Sequence, residues 1–239
     1  MSDARHQLTL ALDDLDRAFA VEEPFPVRGC TYCYGEENFA DLSGPLHLIP
    51  DDMVSAVAGE VPDHWDDFAR LYRRLVPRIV RSVVTGQSYV DEELIASRLL
   101  QASWTTWDAP LVRALNDVWI AWWQATLHTH PSAYPSPVPV RSTLSLITVA
   151  TGGVRPWLDT WTATRRPSAD AHLADFVDDV LFECEITDLH MGFYDEYHAA
   201  PELLDWLLTE VRDRVDDTRL DSPYLREHHR PAHRSPGTP

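Results

Sequence analysis

Lysine is absent from this sequence, and all twenty basic residues are arginines. We attribute this replacement to a GC-rich coding bias and give it no functional weight. Thirty-eight acidic residues oppose the arginines, so that the formal net charge is −18. A charge of this sign and size repels phosphate groups at long range. It therefore argues against nucleic acid as a partner and against binding to anionic membrane surfaces.

Cysteine and long apolar runs are also scarce. The chain has only three cysteines, and its first residues lack the charged segment and apolar block of a secretory signal. Both features predict a reduced, cytoplasmic protein. No apolar run approaches the roughly 18 residues that a membrane-spanning helix needs. Complete motifs for a phosphate-binding loop, a dinucleotide site, a helical zinc protease or a serine hydrolase are missing too.

Apolar residues are plentiful and recur mostly at the spacing of an α-helix. They make up 44% of the chain, with nine tryptophans among them, which is enough for a core that needs no disulfide or metal. The pattern predicts an all-α protein without strands, its antiparallel helix pairs forming an irregular bundle or a superhelix. About ten helices are expected, at 3–20, 36–42, 51–58, 63–85 with Pro77 as a kink, 90–102, 108–128 as the central and most buried helix, 142–151, 156–164, 169–185, 190–199 and 201–218.

Proline and glycine positions suggest how the chain is organised. Residues 1–127 form an N-terminal helical half, and residues 141–220 form a C-terminal half. The proline-rich stretch 128–140 between them predicts a stiff, extended connection. The last segment, 221–239, has no apolar periodicity and is expected to be disordered. We expect both halves to belong to one globular domain.

The stretch "CTYC" places Cys30 and Cys33 three residues apart. A C-x-x-C pair can be half of a zinc site, with His47 or His64 in nearby loops as the preferred further ligands. It can also be a redox pair, which needs a depressed thiol pKa and lacks its usual βαβ context here. The third interpretation is two unremarkable small side chains. Cys184 falls on an apolar helical face, so we expect it to be buried rather than a ligand.

One helix, 63–85, carries a row of arginines on the side opposite its apolar face. In so acidic a chain this row is the one concentrated basic surface. It predicts a docking site for an acidic protein, a phosphate or a nucleotide. The alternative is that the row packs beside acidic faces of neighbouring helices or is merely solvated. The residues concerned are Arg70, Arg73, Arg74, Arg78 and Arg81.

Several segments taken in order, "CTYC", "PLHLIPDDMV", "WDDFARLYRRLVPRIV", "WWQATL" and "PWLDTWTA", resemble an uncharacterised family of bacterial helical proteins. That family carries an N-terminal cysteine pair and an F-L-P-R helix. The resemblance covers most of residues 25–215, although its T-W-G motif is not intact at "PDHWDDF". It implies an all-helical cytoplasmic protein of no named activity and draws attention to the cysteine pair and Arg78.

Two functions follow as hypotheses. The first is a non-enzymatic helical interaction or scaffold protein, because catalytic motifs are missing and the basic row is the most distinctive surface. The second is a zinc-binding protein that uses Cys30 and Cys33. If that site kept an open coordination position, it could support hydrolysis.

Overall fold

The structure is a computed structural model that describes residues 3–20, 24–133, 140–183 and 189–215. Helix dominates these residues, which confirms the all-α prediction. They form ten α-helices, whose bounds are α1 Asp3–Phe19, α2 Glu36–Ser43, α3 Asp51–Gly59, α4 Phe68–Val84, α5 Glu92–Gln101, α6 Ala109–His128, α7 Val140–Thr151, α8 Arg155–Ala163, α9 Pro167–Glu183 and α10 Ala200–Thr209.

Local sequence explains where several helices begin. Asp67 precedes α4, and its side chain accepts a hydrogen bond from the Arg70 N–H at 3.2 Å. Asp91 does the same for α5, accepting from the Glu93 N–H at 2.8 Å. Such caps satisfy backbone donors that a helix leaves unpaired at its first turn. Pro77 lies inside α4, where we predicted a kink, yet the helix continues as one element to Val84.

One buried core runs through the described residues, from Leu12 to Val215. Helix α1 packs along α6, and α5 packs along α7. The most enclosed of these helices is α7 rather than α6, since nine of its twelve residues are buried. On α6, Ile120 remains 47% exposed. The core includes residues from both predicted halves. Residues 134–139 of the predicted connection 128–140 lie outside the described residues, as do the tail at 221–239 and Cys184. The described parts of that connection include the last residue of α6, a 3₁₀ turn at Pro131–Ala133 and the first residue of α7.

The prediction of a helix at 190–199 is wrong, and so is the expectation that the chain has no strand. Two short antiparallel strands form here, β1 His190–Met191 and β2 Tyr197–His198. Gly192 and Asp195 lie between the two strands and adopt positive φ angles of 95° and 56°, which a helix does not tolerate. The imidazole rings of His190 and His198 stack across the pair at 4.6 Å.

Candidate functional site

The arginine face of α4 is covered along much of its length. Arg74 is 1% exposed, and its guanidinium donates hydrogen bonds to the carbonyls of Leu42, at 2.6 Å, and Gly44. The segment that follows α2 therefore lies over this face. Helical periodicity showed which side of α4 is apolar, but it could not show that a loop encloses the opposite side. For Arg74 the expectation of an exposed basic surface is wrong.

Two further arginines of the predicted row are held by neighbouring segments. Arg78 donates to the carbonyls of Leu46, at 2.9 Å, and Ile49, at 2.5 Å, and pairs with the carboxylate of Asp51. Arg81 pairs with two aspartates of α1, at 3.2 Å and 2.6 Å. These contacts match the alternative in which the row packs against acidic neighbours. A docking role stays a prediction for Arg70, which is exposed, and for Arg73, which is half-buried.

Residues 24–30 form an extended segment beside the chain that leads into α4. Gly29 and Trp65 make an antiparallel bridge. The Cys30 N–H donates to the His64 carbonyl at 2.8 Å, and the Asp66 N–H donates to the Arg28 carbonyl at 3.0 Å. A Cβ atom on Gly29 would lie 2.1 Å from the His64 carbonyl oxygen. Glycine at this position therefore allows the two segments to approach each other.

A cleft of about 350 Å³ opens between this segment and the start of α4. Its floor consists of buried apolar side chains, and its rim consists of exposed charged ones. Arg70 covers part of the floor, because its guanidinium lies 4.1 Å from the centre of the Phe25 ring. The floor residues are Phe25, Val27, Trp65 and Leu71, and the charged rim residues are Arg28, Asp66, Asp67 and Arg70.

Trp65 has an unusual hydrogen-bonding state for a side chain that lines this cleft. The residue is 4% exposed, and its indole N–H has no hydrogen-bond partner among the described residues. A buried donor without a partner costs roughly 1–3 kcal/mol. Its ring packs against that of Tyr34, with the two ring centres 4.5 Å apart and the planes tilted by 34°. Trp65 therefore lines the cleft while its enclosed indole N–H stays unpaired among the described residues.

The cysteine pair lies in a turn at the end of the same extended segment. The N–H groups of Cys33 and Tyr34 both donate to the Cys30 carbonyl, at 3.3 Å and 3.1 Å. Cys30 is half-buried, Cys33 is exposed, and both are free thiols. Backbone N–H groups of Cys33 and Tyr32 lower the pKa of Cys30. Burial and the hydrogen bond to Cys30 raise the pKa of Cys33.

A carboxylate network lies next to this turn. The Tyr34 hydroxyl donates to Glu60 at 2.8 Å, and His64 Nδ1 lies 3.2 Å from the other carboxylate oxygen. Burial alone would raise the pKa of Glu60. The Val61 N–H, the Tyr34 hydroxyl and His64 outweigh burial, so the pKa of Glu60 is lowered. Burial and the bond to Glu60 raise the pKa of Tyr34. The network joins the turn to the segment before α4.

The structure does not assemble the expected zinc ligands into one group. His64 contributes only its backbone carbonyl to Cys30, and its ring faces Glu60. His47 is exposed in a short 3₁₀ turn, Leu46–Leu48. Nowhere in the described part of the chain do three His, Cys, Asp or Glu side chains come together as a metal-binding group. Zinc binding by Cys30, Cys33, His47 and His64 thus stays a prediction without geometric support.

Sequence reasoning singled out the cysteines and Arg70 as candidates, which stay predictions, but it did not predict the cleft beside them. Phe25 and Trp65 are forty positions apart, and backbone hydrogen bonds around Gly29 bring their segments together. A signal was present in "FPVRGC" and "DHWDD". Each combines an aromatic residue with exposed charges outside any amphipathic helix. Glu60 and Tyr34 carried no comparable signal, because their pairing depends on tertiary contact alone.

None of the described helices is long and apolar enough to cross a bilayer. Comparison of the chain with protein-family models, with curated proteins and with solved structures finds no match. The resemblance to an uncharacterised helical family therefore stays a prediction. Any function has to be argued from the cleft and the turn themselves.

Proposed function

We propose that this protein is a non-enzymatic helical interaction protein and that its cleft binds a short, extended segment of a partner protein. The observation that carries the proposal is the cleft itself, with its apolar floor, its charged rim and Trp65, whose indole N–H is unpaired among the described residues, in its lining. The low cysteine count favours the cytoplasm as the compartment in which the two proteins meet.

The shape of the cleft supports a peptide-like ligand. Its volume of about 350 Å³ lies near the lower end of ligand pockets, which hold about 300–1,000 Å³. The apolar floor would accept one aliphatic or aromatic side chain of the partner. Arg70 would cover that side chain as it now covers Phe25.

Hydrogen bonding supports an extended backbone in the ligand. A peptide carbonyl is a strong acceptor, and one that reached Trp65 would satisfy the indole N–H. The gain arises only on binding, because the free protein leaves the donor unpaired. A purely hydrocarbon ligand would fill the floor but would leave this donor as it is.

Charge at the rim supports selectivity among partners. Arg28 and Arg70 contribute positive charge, and Asp66 and Asp67 contribute negative charge. A segment with one acidic and one basic residue beside its apolar anchor would match both signs. The net charge of −18 would speed the approach of a basic partner, whereas nucleic acid would be repelled.

Site-specific photocrosslinking in the producing cell would test this proposal. A photoreactive phenylalanine replaces Arg28 in one variant and Arg70 in a second. In the control it replaces Arg113, an exposed residue of α6 outside the cleft lining. We expect both cleft variants to form adducts with the same partner segment, identified by mass spectrometry, and the control to form none with it.

Binding of a synthetic peptide with the crosslinked sequence then gives the decisive measurement. The double variant Arg28→Glu, Arg70→Glu should weaken binding about tenfold or more, while Arg113→Glu leaves it unchanged. Circular dichroism checks that each variant is folded. Equal affinity for all three proteins, or adducts at position 113 alone, would overturn the cleft as the binding site.

The alternative function, a zinc protein with hydrolase chemistry at Cys30 and Cys33, has less support. The described residues supply no third ligand next to the pair. Elemental mass spectrometry of the purified protein tests this alternative. Zinc that is present in the wild type and lost in the Cys30→Ser, Cys33→Ser double variant would support the zinc-protein function.

A further inference from the structure

We propose that Cys30 and Cys33 form a reactive dithiol that exchanges with disulfides, in which Cys30 attacks and Cys33 resolves. This activity goes beyond partner binding and does not depend on it, because the turn is separate from the cleft lining. Three features of the turn carry the proposal: its backbone geometry, its exposure and the different surroundings of its two thiols.

The backbone already brings the cysteines close enough for a disulfide. The Cys33 N–H bonds to the Cys30 carbonyl three residues earlier, at 3.3 Å, which closes a four-residue turn. Such turns hold their end Cα atoms within about 7 Å. Disulfides span Cα separations of about 4.4–6.8 Å. The pair can therefore oxidise with little movement of the chain.

The turn is open to a reactant. Cys33 is exposed, and the Tyr32 side chain between the two cysteines is 97% exposed. Behind the turn, the chain is fixed by the Cys30 N–H bond to His64 and by the Tyr34 bond to Glu60. Cys33 is thus accessible and Cys30 partly accessible on a loop that is anchored from behind, so that a disulfide can approach the pair.

The two sulfur atoms have different surroundings, which assigns their roles. The backbone N–H groups of Cys33 and Tyr32 lower the pKa of Cys30, which favours its thiolate. Desolvation and the neighbouring Cys30 raise the pKa of Cys33, so this thiol keeps its proton more firmly. The nucleophile in thiol–disulfide exchange is the thiolate, so Cys30 attacks first.

The exchange balances without a cofactor. The Cys30 thiolate attacks one sulfur of a substrate disulfide, which forms a mixed disulfide and releases the first substrate thiolate. Cys33 then loses its proton to solvent and attacks the Cys30 sulfur of that mixed disulfide. The second substrate thiolate leaves as the Cys30–Cys33 bond forms. The protein is oxidised by two electrons, and the substrate disulfide is reduced to two thiols.

Glutathione disulfide provides a direct test on the full-length, reduced protein. Equilibration in glutathione buffers of graded redox poise should give one cooperative transition from dithiol to an intramolecular Cys30–Cys33 disulfide. Alkylation of the remaining thiols and peptide mapping follow the transition and separate the pair from Cys184. In Cys33→Ser, glutathione should remain trapped on Cys30, because the neighbouring Cys33 thiol that resolves the mixed disulfide is missing.

The reciprocal variant Cys30→Ser is the matched control. Its remaining Cys33 should react with glutathione disulfide about tenfold more slowly than Cys30 does in Cys33→Ser, since less of it is thiolate. Elemental mass spectrometry of protein purified without chelator accompanies the titration. Circular dichroism confirms that both variants keep the helical fold.

Three results would overturn the proposal. One is glutathione addition to both cysteines without an intramolecular disulfide. Another is faster reaction at Cys33 than at Cys30. The third is stoichiometric zinc that blocks exchange until it is removed, which would make the pair a metal ligand set. None of these results bears on crosslinking at the cleft, so the two proposals fail separately.

Discussion

Two groups of tryptophans are equally buried in this protein but differ in what their indole N–H groups do. In the helical core, Trp104, Trp123 and Trp161 donate to the carbonyls of residues 150, 157 and 169, at 2.9 Å, 3.0 Å and 3.1 Å. Trp65 lines the cleft and has no partner within the described residues. Trp119 on α6 also lacks one, but it does not line the cleft. Burial alone therefore does not mark a binding residue. Trp65 differs from the core tryptophans in combining an unpaired N–H with a place in the cleft lining.

The largest effect should come from the core side of this comparison. Trp161 is fully buried, and its ring lies 5.2 Å from the rings of both Trp123 and Trp206. We expect Trp161→Ala to lower the free energy of unfolding by about 3–5 kcal/mol, because it opens a cavity and removes edge-to-face ring contacts. Urea unfolding followed by circular dichroism measures the loss.

Tyr89→Ala is the control for that measurement, since the Tyr89 side chain is 99% exposed. Its free energy of unfolding should stay within about 0.5 kcal/mol of the wild type. The contrary result is that Trp161→Ala costs no more stability than Tyr89→Ala. The packed rings of Trp123, Trp161 and Trp206 would then not stabilise the fold, and the core tryptophans would not differ from Trp65 in their contribution to stability.

The second effect concerns an arginine that lies on the packed side of α4 rather than at the cleft. Arg74→Met keeps much of the aliphatic stem but leaves the Leu42 and Gly44 carbonyls without this donor. We expect a loss of about 2–3 kcal/mol in the free energy of unfolding. Arg113→Met, at an exposed position, should change it little. A similarly small change in Arg74→Met would mean that the hydrogen bonds to Leu42 and Gly44 do not stabilise the fold.

The helices were largely predictable from sequence, because their apolar spacing and capping aspartates are local signals. The predicted helices at 3–20 and 108–128 differ from α1 and α6 by one residue at one end. The hairpin at 190–198 was not predictable in this way. Its positive φ angles at Gly192 and Asp195 interrupt a pattern that otherwise reads as helical.

The site was only partly predictable for a different reason. Periodicity places Arg74 opposite the apolar face of α4, but whether that face meets water depends on where residues 42–51 fold. The cleft likewise depends on a backbone bridge between segments far apart in sequence. Local patterns fix which residues share a face of a helix. They do not fix what covers that face.

The third effect compares the two kinds of tryptophan directly. Phenylalanine in place of Trp123 leaves the Trp157 carbonyl without its donor, whereas Trp65→Phe removes a donor that has no partner. We expect Trp123→Phe to cost about 1 kcal/mol more stability than Trp65→Phe in urea unfolding. The affinity for the partner peptide should show the opposite order. Trp65→Phe should bind the peptide more weakly than the wild type, whereas Trp123→Phe should bind it with unchanged affinity. Equal stability costs would mean that the Trp65 N–H is satisfied in the folded protein.

The smallest expected effect, below about 1 kcal/mol, is the pH-dependent stability supplied by Glu60 next to the cysteine turn. Its pKa in the folded protein is below the ordinary value of 4.5, so its carboxylate stabilises the fold above that pH. This stabilisation is lost as the pH falls through the lowered pKa. Glu60→Gln should therefore be less stable than the wild type near pH 7, and the difference should vanish in acid.

Asp63→Asn is the control, because Asp63 is exposed on the same segment. A Glu60→Gln deficit that persisted unchanged in acid would assign the loss to the hydrogen bonds alone. The charge on Glu60 would then have no role in holding the turn.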